Sequence, residues 1–152
     1  GLPVIKSYEV MQGFETKGSV GVKEAQIYYL LAGQMQQMDL FLDKEEQARL
    51  VRLKCKRKFY MQDGKVTEQL LLKADAERIT GKAARGRMER VLAERIKDSC
   101  QEQLLQNDID LTDSSRDLAL YAPDIYRMYG KRVQKYRDNL VYDVQVQVRM
   151  KK

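Results

Sequence analysis

The 152-residue chain has no histidine and no tryptophan, and it has only two cysteines and two prolines. Without histidine the commonest general base is missing. A structural zinc site of the usual kind is excluded too, because neither a CxxC pair nor a Cys/His cluster occurs. No serine sits in a G-x-S-x-G or S-x-x-K setting. The stretch Thr80-Gly81-Lys82 lacks the first glycine of a phosphate-binding loop and the Ser or Thr after its lysine, and no G-x-G-x-x-G is present. Asp108, Asp110 and Asp113 begin like a calcium loop. The glycine due at the sixth position and the glutamate due at the twelfth are replaced by Asp113 and Ala119. These absences lead us to expect no catalytic residue, no metal and no cofactor, with an enzyme of unreadable type kept as an alternative.

No apolar run approaches the roughly 18 residues of a membrane-crossing helix. No charged-then-apolar leader resembles a signal peptide. The opening Gly-Leu-Pro-Val fits a processed or trimmed product, so cytoplasmic and periplasmic or secreted locations both stay open. Cys55 and Cys100 are too few for a disulfide framework. They are small core residues in a reducing compartment and a candidate bridge in an oxidising one.

What the chain does have is charge. The formal net charge is +6, and the excess is uneven. It is −2 over residues 1–43, +7 over 44–100 and +1 over 101–152. Five of the seven residues from Arg52 to Lys58 are basic. Such a distribution suits an acidic protein, nucleic acid or lipid headgroups. The candidate contacts are Arg52, Lys54, Lys56, Arg57 and Lys58, then Arg85 and Arg87, then Arg127, Lys131 and Lys135. The plainer alternative is a solvated surface that keeps the protein in solution.

The hydrophobic pattern predicts one domain with three parts. Residues 1–22 carry four glycines and read as irregular or extended. Residues 23–140 read as a helical body. Ile27, Leu31, Met35, Met38 and Leu42 form a helical stripe. Residues 43–64 allow two readings. Alternation would put Leu53, Cys55, Phe59 and Met61 on one side and Arg52, Lys54, Lys56 and Lys58 on the other, with Asp63-Gly64 as a hairpin turn. That register sets Phe59 against Glu68 and Arg57 against Leu70, an unattractive pairing. A helix instead aligns Ala48, Val51, Cys55 and Phe59, with acids at its start and cations at its end. Helix is the expectation. Val66, Leu70 and Ala74 extend the helical reading to 66–78.

Thr80 is expected to cap a helix bearing Ala84, Met88, Leu92, Ile96, Cys100 and Leu104. A short helix reaches Tyr121, and Pro123 restarts it toward Leu140. Residues 141–150 alternate cleanly, with Tyr142, Val144, Val146 and Val148 as the strand-pairing side. The expected fold is therefore α+β and predominantly helical, with four to five helices and a small antiparallel sheet that includes the C-terminal strand. The expected function is a non-catalytic protein-binding or assembly module whose basic surface engages an acidic partner or a second copy. A nucleic-acid-binding protein using basic helices is the alternative.

Overall fold

A computed structural model describes residues 7–12, 15–33, 35–41, 44–106, 114–129 and 140–151. Strand is the larger share, about 48% against 37% helix, so the predominantly helical expectation is wrong. The elements are β1 (Ser7–Gln12), β2 (Glu15–Gly21), α1 (Val22–Leu31), β3 (Gln37–Phe41), β4 (Gln47–Gln62), β5 (Lys65–Thr80), α2 (Arg85–Gln106), α3 (Ser114–Tyr121), α4 (Pro123–Tyr129) and β6 (Leu140–Met150). Strands β1 and β2 form an antiparallel hairpin, in keeping with an extended N-terminal segment. The other four form one sheet in the order β3-β4-β5-β6. It is mixed and not antiparallel throughout, because β6 runs parallel to β5.

The largest correction concerns residues 43–80. They form two 16-residue strands, β4 and β5, joined at Asp63-Gly64. Both turn residues have positive φ, 52° and 73°. A two-residue turn of this type requires positive φ at both positions, and Asp-Gly supplies it cheaply. The helical spacing that suggested otherwise has two sources. A repeat of four is even, so Val66, Leu70 and Ala74 share a face in a strand as well as in a helix. In β4 the pairing shifts between Val51 and Lys54. Arg52 and Leu53 stand opposite the single residue Ala74, a bulge that changes which parity faces inward. Ala48 and Leu50 point into the core before the bulge, and Leu53, Cys55 and Phe59 do so after it. Arg52 takes φ 52° at that point.

Helix α1 also stops earlier than its stripe. Gly33 at φ 71° donates its N–H to the Leu30 carbonyl (3.1 Å), a left-handed end that glycine favours. Met38 then lies on β3 and still packs on the core. Helix α2 begins at Arg85, not at a Thr80 cap, because Thr80 ends β5. Its Met88, Leu92, Ile96 and Cys100 are all buried against the sheet, as their spacing predicts. Ala84 is exposed. Helices α3 and α4 break at Pro123 as expected, and α4 is described as far as Tyr129. The continuation toward Leu140 and the 108–113 loop lie outside the described residues.

The buried rows of β4, β5 and β6 meet α1 and α2 in one core that includes Ile27, Leu50, Leu70, Leu72, Leu92 and Val144. A smaller cluster joins Val66 and Leu118 to Phe59, Ile125, Tyr126 and Leu140, so α3 and α4 pack on the same side. Helices thus cover one face of the sheet, and the opposite face carries exposed polar side chains. The start of α2 is tied to the end of β6. Arg85 Nη2 donates to the Met150 carbonyl (2.6 Å), and the Met150 N–H donates to Glu89 Oε1 (3.0 Å). That backbone bond, with help from Arg85, holds the Glu89 carboxyl below its usual range.

Candidate functional site

The strand registers arrange the open face into rows. Asp39, Arg49, Glu77 and Lys151 share one row across the four strands. It is neutralised internally. Arg49 holds Asp39 in a two-pronged pair (2.7 and 3.2 Å), and Lys151 donates to Glu77 (2.8 Å). The hydrogen bonds from Arg49 and Lys151 hold the Asp39 and Glu77 carboxyls below their ordinary values. In the next row Asp75 lies between two guanidinium groups, Arg52 at 3.4 Å and Arg149 at 3.2 Å.

Beyond Asp75 the balance changes. Lys54 faces Lys73 directly across β4 and β5. Like charges in opposed positions destabilise a sheet, by an amount on the order of 0.2–1 kcal/mol. Lys56 and Lys58 continue the column on β4, opposite Leu71 and Gln69. All four lysines are exposed. Among the described residues, none of them has a carboxylate within ion-pair distance. A groove of about 420 Å³ opens there, lined by Arg52, Lys54, Lys73, Asp75, Gln147 and Arg149 among others. Four of those side chains are cationic and one is acidic. Arg52, with its positive φ of 52°, lines this groove, and backbone outliers of this kind gather at ligand clamps.

The sequence candidates therefore separate. Arg52, Lys54, Lys56 and Lys58 come together on the open face. Lys73 and Arg149 join them, and sequence analysis missed both. Lys73 lies in a segment whose spacing suggests a helix, and Arg149 lies on the polar side of the alternating terminal strand. Arg57 has the opposite parity and points under the sheet. Its Nη1 meets Asp117 at 2.7 Å, its Nη2 donates to the Leu31 carbonyl at 2.9 Å, and its Nε lies 3.7 Å from the buried Glu68 carboxylate. It is a structural cation and not a surface contact. Arg85 is engaged with Glu89 and Met150. Arg87 is exposed on α2, in the helical layer behind the sheet, and Arg127 pairs with Asp124 (3.7 Å) on α4. Lys131 and Lys135 lie outside the described residues. Among the described residues the basic segments thus do not merge into one patch.

Cys55 and Cys100 are both free thiols, half-buried and buried. Burial pushes Cys55 up to about 11, and burial with the neighbouring Cys55 sulfur pushes Cys100 up to about 12. At pH 8 a thiol at 11 is only about 0.1% thiolate, against roughly 10% for one at 9. Native protein at pH 8 is therefore expected to react with a disulfide reagent at least ~100-fold more slowly than the denatured chain. A timed thiol titration with and without denaturant checks this. The sign of the linkage follows. Above pH 9 the unfolded chain ionises first, so the thiols' contribution to stability falls as the pH rises from 9 through 11. Neither sulfur is set up as a nucleophile, and no group of metal-ligating side chains forms among the described residues. No described helix is long and apolar enough to cross a membrane.

No family model and no curated protein matches the sequence. Among solved structures the chain is similar to the crystal structure of the GerBC protein, with a TM-score of 0.70 and 17% identity. The match covers 89% of this chain and 48% of that one, so the chain spans about half the length of the GerBC protein. The likeness is one of fold.

Proposed function

We propose that this chain is a non-catalytic binding module whose open sheet face receives an acidic segment of a protein partner. One observation carries it. Lys54 and Lys73 oppose each other beside Lys56 and Lys58, with Arg52 and Arg149 sharing the single carboxylate of Asp75 next to them, while the row of Asp39, Arg49, Glu77 and Lys151 neutralises its own charges. The repulsion within the lysine cluster is relieved when carboxylates settle into it. The groove beside it, with Arg52 and Arg149 already turned toward Asp75, offers two-pronged recognition of further carboxylates. The separation of the basic segments onto opposite sides of the sheet favours a local acidic segment over a duplex, which needs a continuous basic track.

Fluorescence anisotropy with a labelled polyglutamate peptide at ~50 mM salt tests the proposal, with duplex DNA as the comparison. The peptide is expected to bind, with an affinity that drops on going to ~300 mM salt. Lys54→Gln with Lys73→Gln should weaken it at least ten-fold, mostly through slower association. The melting temperature should stay the same or rise, because a like-charge pair is removed. An affinity untouched by the double substitution, or binding to DNA and not to the peptide, overturns the proposal.

A further inference from the structure

The second feature with an unmet requirement is the outer edge of β6. This strand ends the order β3-β4-β5-β6, and among the described residues no other strand pairs with it. The Lys151 N–H donates to the Ala76 carbonyl (2.8 Å), so the backbone groups of Lys151 face β5. Successive residues of a strand direct their N–H and C=O groups to opposite sides. The groups of Met150 therefore point away from β5, where Glu89 and Arg85 take them up. By the same alternation the groups of Val144, Val146 and Val148 line the outer edge. The α2 clamp serves the end of this edge, and among the described residues no hydrogen-bond partner takes up the outward groups of its middle. Two of the usual guards are missing: no proline and no lysine occurs from Leu140 to Met150.

We propose that the occupant of this edge is β6 of a second copy, running antiparallel about a two-fold axis at Val146. In that register Val146 faces its own counterpart, and Val144 faces Val148 of the other copy. These are the residues with outward backbone groups, and the three pairs form about six hydrogen bonds. On the open face Gln145 meets Gln147, and Asp143 of one copy meets Arg149 of the other, twice by symmetry. Both side chains are within reach. Arg149 is 71% exposed, and Asp143 accepts only amide hydrogen bonds, from Gln69 (3.2 Å) and Gln145 (3.3 Å). Shifting the register by two residues one way loses the opposite-charge pairs. Shifting it the other way sets Asp143 against Lys151 but needs the Met150 backbone groups that Arg85 and Glu89 already hold, so charge and the α2 clamp together select it. The interface is closed, because each copy offers one such edge and the two-fold uses both. Lys73 and its counterpart lie three strand spacings apart, about 14 Å, beyond a Debye length of about 8 Å at physiological salt. The two lysine clusters therefore do not oppose pairing. The proposal does not depend on the acidic partner.

Sedimentation equilibrium of the full chain from ~1 to ~100 µM should show a monomer–dimer equilibrium. Gln145→Lys with Gln147→Lys replaces two exposed side chains and sets lysine against lysine across the axis. It should raise the dissociation constant at least ten-fold while leaving the melting temperature in place. A mixture of Gln145→Cys and Gln147→Cys proteins should form a disulfide-linked dimer on mild oxidation, and unsubstituted protein should not. Amide exchange at Val144, Val146 and Val148 should slow as concentration rises. A monomer at ~100 µM overturns the proposal. So does a dimer indifferent to the lysine pair or without the mixed crosslink. Protection of those amides that is independent of concentration also overturns it, since another part of the chain would then cover the edge.

Discussion

Replacing Arg57 with methionine is expected to destabilise the protein by roughly 3–5 kcal/mol, the usual cost of removing one partner from a buried ion pair. Arg57 is tucked under the sheet with a side chain only 9% exposed, and it joins three elements. It binds Asp117 on α3 at 2.7 Å and the carbonyl that ends α1, Leu31, at 2.9 Å. It also lies 3.7 Å from Glu68, whose side chain has no exposure. Removing the guanidinium takes a cation away from a carboxylate held in the core. For a domain of this size the loss corresponds to a melting temperature lower by about 10 °C or more. Arg57→Lys should recover little, since one ammonium cannot reach three acceptors in a planar fork. A second substitution separates the charge from the packing. Adding Glu68→Leu to Arg57→Met should restore much of the loss, because Asp117 is partly exposed and can turn to water. Denaturant unfolding of the two single variants and the double variant measures the coupling. Additive losses would mean that Arg57 and Glu68 do not act as a pair.

The substitution Gly81→Ala is expected to cost about 2–4 kcal/mol. Gly81 sits between β5 and α2 with φ 110°, a conformation that side chains rarely adopt. The strain alone is of order 1–3 kcal/mol. A Cβ there would also overlap the carboxylate of Glu46. That carboxylate accepts the N–H groups of Lys82 (2.7 Å) and Ala83 (2.8 Å), and Arg78 donates to it at 3.1 Å. It anchors the connection that delivers α2 onto the sheet, and hydrogen bonds to a charged acceptor are worth about 1.5–3 kcal/mol. Gly86→Ala is the control, since its added Cβ meets nothing within 4 Å. In the first turn of α2 it should be neutral or stabilising by less than the roughly 1 kcal/mol of a helix interior. Equal melting temperatures for the two variants would remove the special role of Gly81.

The same residues show why the central hairpin was misread. The pairings of Phe59 with Glu68 and Arg57 with Leu70 looked like errors of register, yet they are the register. They are acceptable because Arg57 and Glu68 point to the same side, where the guanidinium lies between the carboxylates of Glu68 and of Asp117 from α3. That third group comes from 60 residues along the chain, and no local pattern announces it. Arg52 repeats the lesson on the other face. Its positive φ creates a bulge, and the bulge turned a period of two into something that passed for a period of three to four.

By itself the sequence determined several things. It determined the alternation of residues 141–150, the α2 ladder from Met88 to Cys100, the break at Pro123 and the concentration of positive charge in the middle of the chain. Each of these is set by neighbours within a few residues, where the period of side chains or the φ of a turn suffices. The tertiary structure decided that 47–80 is sheet, that Arg57 is internal while Lys54, Lys56 and Lys58 are external, and that Lys73 and Arg149 join them. Those outcomes depend on strand register and on charges contributed from distant segments. Free energy at these positions is settled by which groups meet across the sheet and not by any residue's own preference.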